Sequence, residues 1–126
     1  EEMEFASAYI FLLKMRFENN LQFDIQIAKS FEDYRLPPMA VQVLIENAVK
    51  HNEISDRKPL TIHIVTNNEG YLSVSNDIQP KRTAASGTGI GLVNLAKRYR
   101  LLFKQDIQIT EDKEFSVCIP LIDEVQ

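Results

Sequence analysis

A single cysteine, Cys118, stands in 126 residues, so no internal disulfide is available and nothing suggests a secreted, disulfide-framed fold. Set among apolar neighbours in EFSVCIPL, it reads as a small buried hydrophobe. No apolar run reaches the length of about 18 residues that a bilayer crossing needs. Basic charge is not in excess either. Eighteen acidic residues against 14 basic ones leave a formal charge of −4, which argues against a dedicated nucleic-acid binder and leaves room for a local basic pocket. The two histidines lack zinc spacing, and no cysteine cluster accompanies them. There is no internal repeat, no glycine/serine linker and no initiator methionine. The opening EEMEF has mid-helix character, so the sequence reads as a piece of a longer protein.

What is present fits one domain. An apolar fraction of 44% and a charged fraction of 25% are ordinary for a globular chain, and this length buries roughly two-thirds of the unfolded surface. In residues 3–17, Phe5, Tyr9, Leu12 or Leu13, and Phe17 form a helical stripe. LQFDIQI (21–27) alternates strictly and predicts a half-buried strand with Leu21, Phe23, Ile25 and Ile27 on one face. Pro38 suits a helix start, and the helix that follows carries Val41, Leu44, Ile45 and Ala48 as its apolar stripe. Strands at 60–66 and 71–76 flank NNEG, where Gly70 can take positive φ. His63, on the face of Thr61 and Val65, reads as structural. Residues 77–89 predict an irregular, mobile loop. A helix over 90–103 and a final antiparallel pair turning near Asp112 and Lys113 complete the chain. The expected fold class is α/β: a two-layer sandwich, with a mixed, mostly antiparallel sheet covered by helices on one face.

Two stretches carry candidate chemistry. In LIENAVKHN (44–52), Glu46, Asn47 and Lys50 share a helix rim, and His51 lies four residues after Asn47. An Asn oxygen suits Mg²⁺ when phosphates supply the remaining charge. A Lys offers donors to phosphate, and a Glu can orient a nucleophile or accept its proton. Taken alone, the helix is better read as carrying a Glu46–Lys50 surface pair, worth roughly 0.2–0.5 kcal/mol. In SGTGIGLVNLAKRYRLLF, Gly87, Gly89 and Gly91 recur at every second residue before a helix. Closely spaced glycines let backbone N–H groups reach phosphate oxygens, aided by the helix N-terminus. The spacing is neither a P-loop nor a dinucleotide fingerprint. A hinge with Thr88 as N-cap is the alternative. Lys81 and Arg82, just before the glycines, could reach phosphates when the loop closes. Lys97, Arg98 and Arg100 read as a solvated face. Tyr99, Phe103 and Phe115 read as core or as rings with wet edges.

Together and in this order, the two stretches resemble the N box and second glycine box of the GHKL ATPase superfamily. LPPMAVQVLIENAVKHN and SGTGIGLVNLAKRYRLLF are most similar to the LytS/YehU group of sensor histidine kinases, where a PP before the N box and a basic helix ending in LLF are typical. The resemblance covers nearly the whole chain and implies the Bergerat-type α/β sandwich. It implies residues 1–18 as a remnant of the second dimerisation helix and 19–126 as the ATP-binding catalytic domain.

By position it assigns Glu46 as general base or polariser, Asn47 as Mg²⁺ ligand, and Lys50, with His51 nearby, as phosphate contacts. Gly87, Thr88, Gly89, Ile90, Gly91 and Leu92 would wrap the phosphates, residues 77–86 would form the ATP lid, and Asn94 is a structural candidate. The departure is the first glycine box. Where the family strand ends in Asp-x-Gly-x-Gly, this one ends SVSNDIQPK. Asn76 takes the Asp position and can still offer an oxygen to the adenine amino group, or Asp77 rotates in.

The resemblance implies an ATP-dependent protein-histidine kinase domain with ATP and Mg²⁺ as cofactors. The acceptor histidine would lie outside this chain, so the piece alone would not autophosphorylate. Further implied are a homodimer built by the parent's dimerisation helices, a response regulator of LytTR type as partner, no direct nucleic-acid binding, and a cytoplasmic location within a membrane-anchored sensor kinase. Two rivals remain: an anti-sigma-type serine kinase, and a degenerate, non-catalytic signalling module.

Overall fold

The alternations Leu60-Ile62-Ile64 and Leu72-Val74-Asn76 give two neighbouring strands a shared inner face, and the computed structural model buries all six side chains. It describes residues 2–28, 40–67, 69–79 and 90–121, apart from the side chains of residues 2–6 and 90. Within them the order is α1 (Glu2–Phe17), a 3-10 turn (Glu18–Asn20), β1 (Leu21–Gln26), α2 (Ala40–His51), β2 (Leu60–Thr66), β3 (Tyr71–Asp77), α3 (Ile90–Phe103), β4 (Gln108–Glu111) and β5 (Glu114–Pro120). The predicted Pro38 helix start and the 29–39 connection lie outside the described residues.

The five strands form one sheet in the order β1-β2-β3-β5-β4. Only β1 and β2 run parallel, and a parallel pair needs a crossover, which contains α2. The other pairings are antiparallel. All three helices feed one core with the inner face of the sheet. Ile10 and Leu13 come from α1, Ala40, Val41, Leu44, Ile45 and Ala48 from α2, and Leu95 and Tyr99 from α3. The chain is thus a two-layer α/β domain with a mixed sheet. Tyr99 is fully buried, and its hydroxyl donates to the Pro120 carbonyl at 2.7 Å, which fastens α3 to the end of β5.

Gly70 takes φ +86°, as the NNEG turn requires. The Asn67 side-chain oxygen accepts from the backbone N–H groups of Glu69 and Tyr71 at 2.9 and 3.1 Å. The open face of the sheet is polar. There His63 Nδ1 lies 3.0 Å from Asp24 Oδ2, linking β1 to β2. The Gln26 side-chain N–H, and then His63, hold the Asp24 carboxyl below its ordinary value.

On α1 the structure selects Leu13, together with Ile10, as the inward residue, while Leu12 is 63% exposed. It corrects three other expectations. Ile25 is exposed on β1, the edge strand of the sheet. Cys118 is half-buried rather than buried, because its parity in β5 places it opposite Ser73 on the open face. The predicted mobile loop does not start at 77. Asp77 completes β3, and Ile78 and Gln79 are hydrogen-bonded into the fold.

Two outcomes follow from these contacts. Tyr99→Phe leaves the Pro120 carbonyl without its buried donor and should destabilise the domain by about 1–2 kcal/mol in urea titration. Asp24→Asn tests the lowered carboxyl. Its stabilisation is complete above the ordinary value of 3.8 and is lost as the pH falls through the lower folded value. The variant should therefore melt below wild type at neutral pH, with the gap closing in strong acid. A gap independent of pH would show that the charge is not involved.

Candidate functional site

Helix α2 lies between the other two helices and packs against both. Its inner stripe is buried, so its remaining side chains form an outward rim. Val43, Asn47 and Lys50 follow at four and three residues along that rim, with Glu46 beside them. Asn47 and His51 are half-buried, and Glu46 and Lys50 are exposed. Glu46 accepts from the Gln42 side chain at 3.2 Å. It also lies close enough to α1 that its charge helps raise the Tyr9 phenol above the ordinary value, after the larger effect of burial.

The start of α3 meets this same rim. A Cβ built on Gly91 would touch Val43 Cγ1 at 3.4 Å, an ordinary contact. Gly91 is exposed, and Leu92 is half-buried against the core. Ile90 opens the helix. The first turn of α3 therefore sits one helical turn from Asn47. Two sequence stretches some forty residues apart have been brought together. Lys81, Arg82, Gly87, Thr88 and Gly89 lie outside the described residues. Asn94 is exposed on α3.

The end of β3 forms the floor beneath α2. Asn76 is 1% exposed, and its Nδ2 donates to the Asp77 carbonyl at 2.8 Å. Asp77, one residue on, belongs to the opposite face of the strand and is exposed, so the fold does not bring its side chain to the same place.

A polar clamp, not singled out from the sequence, fixes this corner. Buried Asn52 donates to the Ala48 carbonyl at 2.8 Å, satisfying a free carbonyl at the end of α2, and accepts from the Gln79 backbone at 2.7 Å. Gln79 answers with its side chain, which donates to the Glu53 and Lys58 carbonyls at 2.9 and 3.2 Å. The spacing held a signal for it: Asn52 continues the stripe of Val41, Ile45 and Ala48, so a polar residue at a core position had to find partners. Val43 and Tyr9, the neighbours of Gly91 and Glu46, could not be found that way, because their pairings join distant parts of the chain.

Among the described residues, no group of three His, Cys, Asp or Glu side chains is placed to hold a metal, and no helix is long and apolar enough to cross a membrane. No protein-family model matches the chain. Individual relatives do. The chain is 34% identical to the sensor protein LytS of Streptococcus mutans over an alignment of 128 positions, covering 89% of this chain and 22% of that one. It is 29% identical to LytS of Enterococcus faecalis over 118 positions, covering 82% and 20%. It is 27% identical to the sensor histidine kinase BtsS of Escherichia coli over 113 positions, covering 87% and 20%. The chain is therefore distantly related to the LytS and BtsS sensor proteins, and it spans about a fifth of the length of these curated relatives.

Proposed function

We propose that this chain is the ATP-binding domain of a two-component sensor histidine kinase, with the Bergerat-type sandwich of the GHKL ATPases. What carries this reading is the approach of Gly91 to Val43, which sets the glycine-led start of α3 beside the rim of Asn47 and Lys50. Neither φ nor packing demands a glycine there. No positive φ requires it, a Cβ would find room, and glycine is unfavourable in a helix by about 1 kcal/mol relative to alanine. A ligand that must come close to the backbone accounts for it. The distant kinship with sensor kinases supports the same reading.

In this proposal Asn47 holds Mg²⁺ by its side-chain oxygen. Because no carboxylate or histidine cluster is gathered among the described residues, most remaining ligands would be phosphate and water oxygens. Lys50, with His51 close by, and the basic Lys81 and Arg82 would face phosphates. Gly87, Thr88, Gly89, Ile90, Gly91 and Leu92 would lie along them. Asn76 would receive the adenine amino group. Its Nδ2 already donates to the Asp77 carbonyl, which leaves the oxygen as the group to offer. Glu46 would polarise the reacting group. Bound Mg-ATP supplies a transferable phosphoryl group, while the domain's own task is to position it and stabilise its charge.

The acceptor histidine would lie outside this chain, and a response regulator, of LytTR type by resemblance, would be the next acceptor. Residues 1–18 would close the second dimerisation helix ahead of the domain at 19–126. Phe11, Leu12 and Met15, all exposed on α1, suit a helix that has a further face to cover. A non-catalytic signalling module is the second reading. It is favoured by the loss of both glycines after Asn76 and by the deep burial of that side chain.

Calorimetric titration with a non-hydrolysable ATP analogue tests the reading. Binding of about −4 to −8 kcal/mol that depends on Mg²⁺ is expected, and Asn47→Ala should remove the dependence on the metal. No binding at millimolar analogue would favour the signalling module. Gly91→Ala separates fold from ligand. It should melt no lower than wild type yet bind the analogue at least about tenfold more weakly, a loss of about 1.4 kcal/mol. Unchanged affinity would remove Gly91 from the site.

A further inference from the structure

Charge is unevenly distributed along this acidic chain. Between Asp77 and Asp106 there is no acidic residue, whereas Lys81, Arg82, Lys97, Arg98, Arg100 and Lys104 all fall in that interval. Four of them ride on α3 or at its end.

The outward surface of α3 is apolar as well as basic. Leu101 is 81% exposed, Leu102 60% and Val93 52%. Val93, Lys97 and Leu101 succeed one another at four residues and form one stripe, and Lys104 follows just past the end of the helix. Tyr99 and Phe103 turn inward, with their rings 5.7 Å apart, and leave the stripe aliphatic. Arg100 is held by Asp106 at 2.8 and 2.9 Å, so the cations standing out on and beside the stripe are Lys97 and Lys104. The helix dipole explains a base or two in the last turn. It does not explain bare leucines beside them.

We propose that α3 is a docking face for an anionic lipid surface, with Val93 and Leu101 entering the headgroup region and Lys97 and Lys104 facing the lipid charges. Exposed aliphatic tips beside long cationic side chains, on a helix with no acidic residue of its own, are the composition that seats a helix in such an interface. A few aliphatic groups and two lysines give weak, reversible attachment, suited to setting the orientation of a domain held near a bilayer by other means. This inference is independent of the nucleotide reading.

The test is co-sedimentation of the 126-residue chain with phosphatidylcholine vesicles and with vesicles of phosphatidylcholine and phosphatidylglycerol, at low and high salt. Partitioning to the anionic vesicles alone, lost in high salt, is expected. Lys97→Ala with Lys104→Ala should lower it about tenfold or more, at about 1 kcal/mol per lysine. Val93→Ser with Leu101→Ser should lower it comparably. All four positions are exposed, so thermal melting should show the variants folded. No sedimentation, equal sedimentation with neutral vesicles, or full retention by either double variant overturns the proposal. Failure to bind vesicles together with retention on poly-glutamate would make this face a site for an acidic protein instead.

Discussion

The apolar stripe of α2 is the constraint on which the rest depends. Val41, Leu44, Ile45 and Ala48 have 2% exposure or less, and they hold the helix down on the sheet between its two companions. Cutting any of the larger ones to alanine would open a cavity costing about 1–5 kcal/mol. Because this stripe is fixed, so is the opposite rim, and Asn47 and Lys50 inherit a defined position from side chains with no polar chemistry at all. The βαβ crossover acts in the same sense: a parallel pair of β1 and β2 exists only if the chain passes over the sheet, and it is α2 that passes.

Most of this architecture was legible because it is periodic. Strict alternation identified the strands at 60–66 and 71–77 almost to the residue, and the three-and-four spacing of 41, 44, 45 and 48 identified the inner face of α2. The open or mistaken readings fall where period alone is ambiguous. Leu12 and Leu13 both fit a helical stripe, and only the position of the sheet selects Leu13. Cys118 has apolar neighbours, yet in a strand neighbours face away, so they say nothing about its own side. Ile25 fits the alternation but lies on an edge strand and stays exposed.

The candidate site was legible in parts and not as a whole. The residue types of LIENAVKHN and the closely spaced glycines could be read as chemistry, but that Gly91 adjoins the rim of α2 is a tertiary fact, seen in its approach to Val43. The Asn52–Gln79 clamp is similar: the polar residue at a core position was visible, while its partner on the far side of β3 was not. The clamp ties the last turn of α2 to the exit of β3, so the rim and the floor of the site are parts of one rigid corner.

The residue at position 76 has a thermodynamic consequence for that corner. With 1% exposure, a carboxylate there would be an ion cut off from water, and it would need a cationic partner, several donors or a proton to be tolerated. The amide of Asn76 carries no charge and has one of its donors engaged by the Asp77 carbonyl. No buried charge at this position therefore needs an outside partner to offset it.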